Sequence, residues 1–253
     1  MRFLFFISGF FLSLNSYGRV FDFDTQSFST YLRGSGGYSN LQREAYQGGF
    51  PSTIGFNDSN GVSNAYSAEI GFAITKPAFT TRLGIEFLYP YTPGSSNASN
   101  ASGPLFNVSN FTFSVIPQVD FEIYIKRKPS YRLYVGLGGG YGIAVFKNTI
   151  TMTAWGNATY PSLQNYIEEA TGSGIMGQSY FGIEFPAFDN VSLSLDLGYR
   201  YFIASNYTSN RDYTSPLGTF QTGSPIKNAD GSARTTDLSG VFMAFNFRFY
   251  FNQ

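Results

Sequence analysis

The side chains that most often carry chemistry are missing from this sequence: its 253 residues include no His and no Cys. Without imidazole or thiol, the chain cannot build Ser-His, Cys-His or Asp-His pairs, disulfides, or thiolate and imidazole metal sites. A lipoprotein, which needs a lipidated Cys, is excluded by the same count. What remains is a set of ionic side chains with a particular spacing: Arg33, Glu69, Arg82, Glu86, Asp120, Glu122, Arg132, Glu184, Asp196, Arg200 and Arg248. Each stands out of step with the bulky apolar residues around it. Five arginines and six acids on one face read as an internal ion-pair network, because charges withdrawn from water must be paired.

The elements that position these charges are eight stretches in which apolar and polar residues alternate with a period of two. Near 29–40, Leu32, Gly34, Gly36 and Tyr38 oppose Arg33 and Ser35. Near 65–75, Tyr66, Ala68, Ile70, Phe72 and Ile74 oppose Ser67, Glu69 and Thr75. Near 79–89, Phe79, Leu83, Ile85, Phe87 and Tyr89 oppose Arg82, Gly84 and Glu86. Near 111–125, Phe111, Phe113, Val115, Val119, Phe121, Ile123 and Ile125 oppose Gln118, Asp120 and Glu122. Near 131–143, Tyr131, Leu133, Val135, Leu137, Tyr141 and Ile143 oppose Arg132, Tyr134 and a run of even-numbered glycines. Near 175–185, Ile175, Phe181, Ile183 and Phe185 oppose Gln178, Tyr180 and Glu184. Near 191–203, Val191, Leu193, Leu195, Leu197, Tyr199, Tyr201 and Ile203 oppose Ser192, Ser194, Asp196 and Arg200. Near 239–251, Val241, Met243, Phe245, Phe247, Phe249 and Phe251 oppose Asn246 and Arg248.

The apolar residues alone set the frame of each stretch, and every charge within the stretches then falls on the other parity. A charge facing lipid costs about 2–4 kcal/mol at the bilayer midplane, so a membrane barrel requires this segregation. A soluble sandwich or lipocalin-like barrel also alternates, but its polar faces are rich in Lys, and Lys is absent from these stretches. Their length fits the roughly 9–11 residues of a tilted membrane strand. Aromatic residues gather at both ends, with Tyr66, Tyr89, Phe111, Tyr141 and Tyr201 at one rim and Phe79, Phe121, Tyr131, Phe185 and Phe249 at the other. These predict two interfacial girdles.

Connections alternate as well. Long ones are expected near 41–64, 90–110, 144–174 and 204–238, and short ones at Lys76–Ala78, Lys126–Ser130 and Pro186–Asn190. The expected fold is therefore all-β: an eight-stranded antiparallel up-and-down transmembrane β-barrel with four long extracellular loops and three short periplasmic turns.

Composition agrees. Lys plus Arg equals Asp plus Glu at 16 each, so no net field draws nucleic acid. Charged residues are only 13% of the chain, while Phe (28), Tyr (19) and Gly (28) are abundant. No run of about 20 apolar residues exists in the body of the chain, so helical membrane spans are not expected there. At the N-terminus, Arg2, the apolar run from Phe3 to Leu14, and Ser16-Tyr17-Gly18 have the three-part form of an export signal. We expect a signal peptide at 1–18 and a barrel domain at 19–253.

At Leu133–Gly142 (LYVGLGGGYG), Leu195–Phe202 (LDLGYRYF) and Ser239–Phe251 (SGVFMAFNFRFYF), the chain resembles the opacity-protein and OmpA-type eight-stranded outer-membrane barrels. The resemblance covers most of the mature chain as architecture, although only these strands carry it in sequence. It implies location in the cell outer membrane among outer-membrane lipid and lipopolysaccharide. It also implies assembly by the barrel assembly machinery and periplasmic chaperones, with Phe247, Phe249 and Phe251 as the C-terminal signal. One departure stands out, since Asn252 and Gln253 follow the last Phe. No peptidoglycan-binding domain is expected after the barrel, so a wall-anchoring role is not implied.

Other motifs have plain explanations. The Asn-x-Ser/Thr triplets at Asn97, Asn100, Asn107, Asn157 and Asn206 arise readily in loops rich in these residues. Asp58-Ser59-Asn60-Gly61 and Asn228-Ala229-Asp230-Gly231 lack the spaced ligands and closing Glu of a calcium loop and read as turns. Pro161–Ala170 (PSLQNYIEEA), with Ser162 as cap and Leu163, Tyr166, Ile167 and Ala170 on one face, predicts a short helix. Such a helix, with Trp155 just upstream, would pack over the barrel mouth or dock a partner. The expected function is non-enzymatic, without cofactor or metal: a structural or surface-exposed barrel whose loops meet an extracellular ligand. The alternative is a narrow channel for small or apolar solutes, although eight strands leave an interior just filled by side chains.

Overall fold

Each alternating stretch forms a strand: β1 (Phe28–Ser39), β2 (Ser63–Thr75), β3 (Phe79–Tyr91), β4 (Gly103–Lys128), β5 (Tyr131–Met152), β6 (Tyr166–Phe188), β7 (Val191–Ser209) and β8 (Gly240–Tyr250). The computed structural model describes residues 23, 27–41, 49–56, 63–91 and 96–251. The expected signal segment at 1–18 and the Asp58–Gly61 turn lie outside the described residues. Neighbours in sequence pair antiparallel, β1 pairs with β8, and the ring of eight closes. Closure lets every strand find partners on both sides, which is what a backbone surrounded by hydrocarbon requires.

Register places the two faces of the ring. Arg33 lies opposite Glu69, Arg82 opposite Asp120, and Arg132 opposite Glu184. Paired residues share a face, so these charges point inward together, and all are buried. The other parity is exposed and almost wholly apolar, including Ile70, Phe72, Leu137, Phe181, Leu197 and Phe245. Tyr66, Phe111, Tyr141 and Tyr201 are exposed at the outer end of this belt, and Phe79, Phe121 and Phe249 at the periplasmic end.

The periplasmic connections are tighter than the alternation predicts. β4 runs through Lys128 and β6 through Phe188, so two of the turns shrink to residues 129–130 and 189–190. At the outer end the correction is larger. Strands β4, β5 and β6 have 26, 22 and 23 residues, against 12 for β1 and 11 for β8. At about 3.3 Å per residue, β4 is roughly 85 Å long, far more than a tilted strand needs to cross an apolar band of about 25 Å. Residues 103–110 of the expected loop at 90–110, 144–152 and 166–174 of that at 144–174, and 204–209 of that at 204–238 are therefore barrel wall standing above the membrane. Outward-facing residues there change from apolar to Lys147, Thr149, Thr151, Glu169 and Thr171. Alternation continues on β5 but its sense inverts, with Phe146, Ile150 and Met152 now turned inward, so a frame set by the apolar residues breaks here.

The predicted helix at Pro161–Ala170 does not form; Tyr166–Ala170 is the start of β6. The helix in this connection is instead α1 (Ala154–Thr159), with Thr153 as its cap accepting from the Gly156 N–H at 3.0 Å. A β partner for Ile167–Glu169 on β5 outweighs a marginal helix of ten residues.

The wall is tall on one arc and low on the other, and short strands dress its exposed edges. Ser96–Asn100 pairs with the top of β4, Gly55–Phe56 pairs with Ser96–Asn100, and Thr236–Asp237 pairs with β7. Covering an edge in this way removes a template for unwanted pairing. The Asn228–Gly231 motif forms a turn: Gly231 donates to the Asn228 carbonyl, the Ser232 N–H donates to Asp230, and Gly231 takes a φ of +84°.

Substitution of a belt residue by a cation tests the assignment of faces. Leu197→Arg should lower stability in lipid bilayers by about 2–4 kcal/mol, read from the denaturant midpoint of the heat-modifiable folded form. Thr149→Arg, on the same outward face above the girdle, should change it little.

Candidate functional site

The barrel interior is built in two layers. The lower layer, level with the apolar belt, is ionic. Arg82 sends one nitrogen to Asp120 at 2.8 Å and another to Glu122 at 3.1 Å, with Glu69 at 3.7 Å. Arg33 binds Glu69 at 3.0 Å and Asp196 at 3.2 Å. Arg248 joins Glu122 to Glu184, and Arg132 lies 3.8 Å from Glu184. Arg200 pairs with Glu86 somewhat apart from these. All eleven side chains named from the sequence thus enter one interior: nine form a linked network around Arg33, Arg82 and Arg248, and Arg200 with Glu86 makes a separate pair.

Acids exceed arginines in this layer, and hydroxyl donors make up the difference. Tyr31 donates to Glu69, Tyr134 to Asp196, and Tyr250 to Glu184, while Ser67 donates to Glu86 and Ser192 to Glu184. Arginine planes also lie over aromatic rings. The Arg82 guanidinium is 5.1 Å from the Tyr31 centroid and 5.3 Å from that of Tyr180, and Arg33 is 4.9 Å from Phe242. Desolvated cation–π contacts of this kind each contribute about 2 kcal/mol.

Such large side chains fit because the opposing wall is glycine. A Cβ at Gly136 would sit 2.1 Å from Cζ of Tyr180, and one at Gly182 would sit 2.3 Å from Cζ of Tyr134. At Gly84 it would meet the Tyr31 hydroxyl at 2.1 Å. The glycines facing inward on β3, β5 and β6 are therefore seats for tyrosine rings. Tyr31, Tyr124 and Tyr250 carry no charge to mark them in the sequence, but they share the parity of Arg33, Glu122 and Arg248 on their strands.

The upper layer is apolar. Leu88, Phe106, Ile116, Phe146, Met176 and Phe202 point inward from the strands, and Leu41, Phe50, Ile54, Ile226 and Leu238 enter from the connections. Of the apolar stripe noted in the sequence, Leu163 and Tyr166 pack on this cluster and Ala170 is buried within it, while Ile167 stands on the outward parity of β6, opposite Thr149. One polar tie crosses it. Glu168 accepts from Asn148 at 2.8 Å and from Tyr213 at 3.3 Å, and Arg234 lies 3.3 Å away. The sequence alone does not reveal this group, because Glu168 falls in the expected helix and Arg234 in an irregular loop.

No protein-family model matches the chain, and no curated protein matches it either. Solved structures do. A major outer membrane protein of Thermus thermophilus is similar with a TM-score of 0.50 at 12% identity, over 88% of this chain and 99% of that one. Ail, the attachment invasion locus protein of Yersinia pestis, is similar at 0.41 and 10% identity, over 88% and 99%. OprG of Pseudomonas aeruginosa is similar at 0.40 and 12% identity, over 91% and 99%. At these identities the likeness bears on fold alone. Ring closure, the outward apolar belt and the outer-membrane fold agree, and the chain is an integral β-barrel of the outer membrane.

Proposed function

We propose that this barrel is a non-conducting surface protein: a stable cylinder that holds its outer wall and loops above the membrane for contact with an extracellular ligand. The observation that carries this reading is the filled interior. A solute moving along the axis would have to displace the apolar cluster around Phe146 and Phe202, then break the arginine–carboxylate contacts around Arg82. Core residues packed at interior density do not move aside individually, because each vacated volume costs free energy. The wall above the membrane supports the same reading. It continues the strand register beyond the belt, and its outward face there carries Asn107, Ser109, Thr149 and Thr151.

In this account the ionic layer is structural and takes part in no turnover. Phe247 and Phe249 lie on the exposed face of the last strand, and Phe251, just past its end, is exposed too. There the assembly machinery would meet them before the ring closes, with chaperones and lipopolysaccharide as the other partners expected of such a protein.

Two measurements test the proposal. Purified protein in planar bilayers should give no single-channel steps. Reproducible discrete steps that follow the folded protein through purification would establish the channel alternative. Arg82→Met removes the shared partner of Asp120 and Glu122 and should destabilise the barrel by about 3–5 kcal/mol, the usual cost of stranding a buried charge. The readout is the shift in the denaturant midpoint. A variant that kept full stability while gaining conductance would show Arg82 to be a gate.

A further inference from the structure

Strand β4 carries one irregularity in its lower half. Tyr124 pairs with Tyr134, yet Lys126 pairs with Leu133, so Ile125 is an extra residue at a β-bulge. A bulge reverses the parity of everything beyond it. Without it, Lys126 and Lys128 would continue the inward series of Asp120, Glu122 and Tyr124. With it, Lys126 shares a face with Leu133, and Lys128 shares one with Tyr131, whose ring lies 5.9 Å from the Lys128 ammonium. Leu133 and Tyr131 are on the outward parity of β5, since Arg132 and Tyr134 are buried. Both lysines are thereby turned toward the membrane, and both are exposed.

Their surroundings are apolar on one side and cationic on the other. Directly above them the outer face of β4 carries Phe121, Ile123 and Ile125, exposed by 51%, 56% and 63%. Beside them lies the β2–β3 turn with exposed Lys76, bound to β4 through the Tyr124 N–H donating to the Ala78 carbonyl and Arg127 donating to the Pro77 carbonyl. Among the described residues of the three short turns, the one carboxylate is Asp189, which follows β6. An apolar track ending in a lysine cluster at the periplasmic rim matches an amphiphile with hydrocarbon chains and an anionic head.

We propose that the Ile125 bulge builds a binding site for an anionic phospholipid of the periplasmic leaflet. The acyl chains lie along Phe121, Ile123 and Ile125, and the headgroup phosphate is held by Lys126 and Lys128 with Lys76 alongside. Lys–phosphate attraction at a membrane surface is worth about a thirtyfold change in association for two lysines, and falls with ionic strength. This inference rests on the membrane reading above.

The test uses the full mature protein in phosphatidylcholine vesicles doped with spin-labelled phosphatidylglycerol or spin-labelled phosphatidylcholine. Electron spin resonance then reads the fraction of label immobilised at the protein. Wild type should favour phosphatidylglycerol by at least about threefold. The preference should vanish in K126Q/K128Q, persist in K126R/K128R, and persist in K147Q, which alters the opposite rim. Equal immobilisation of both labels in wild type would overturn the proposal, as would an undiminished preference in K126Q/K128Q. Loss of the preference on adding millimolar inorganic phosphate at constant ionic strength would overturn it too, because it would reveal a site for a soluble anion. Heat-modifiable migration checks insertion separately: a wild type that fails to insert in any vesicle contradicts the membrane reading instead.

Discussion

A chain that enters hydrocarbon has to satisfy its peptide groups from within, and for strands only a closed ring does so. Everything else in this protein follows from that closure. Eight strands fix a bore just wide enough for side chains to fill, and here the inner parity supplies them. Large arginines and tyrosines on some strands are met by glycines on others, as Tyr180 is by Gly136 and Tyr134 by Gly182. The volume is shared between facing positions.

The bore is filled in two different ways. Above the membrane the lining is Phe, Ile, Leu and Met, as in a soluble core. Level with the belt it is ionic, although buried ion pairs are often no more stabilising than apolar residues of similar volume. The difference lies in what surrounds the wall. Within the belt the outer face is already apolar, and an apolar inner face would leave a strand with two equivalent sides. A one-residue slip would then go unpunished. Charges at Arg33, Arg82, Asp120 and Asp196 make such a slip place ions in lipid, so they define which face turns inward. Above the membrane the outer face is polar, and an apolar lining supplies the same distinction with the signs exchanged.

Most of the lower barrel was legible in the sequence because the contrast between faces is strong there. Leu195, Leu197 and Phe245 against Asp196, Arg200 and Arg248 leave little freedom of register, and the observed pairing follows. Legibility failed where the contrast faded. From Thr171 to Gly174 the chain is small and polar on both parities, so the link between Glu168 and the inward series of Gln178 and Tyr180 is lost, and the pattern reads as a helix in place of the strand. The bulge at Ile125 is invisible for another reason. A parity count through Lys126 and Lys128 meets a turn within a few residues, and nothing local marks where the step occurs.

The wall rises on the arc of β4 to β7 and stays low from β8 through β3. A cylinder with a level rim looks alike from every side, but a slanted one has a front and a back. Turning the molecule about the membrane normal therefore swings its raised arc to a new compass bearing. Whatever meets that arc must arrive from one quarter, and neighbouring copies in a crowded bilayer differ in what they offer according to how each is turned.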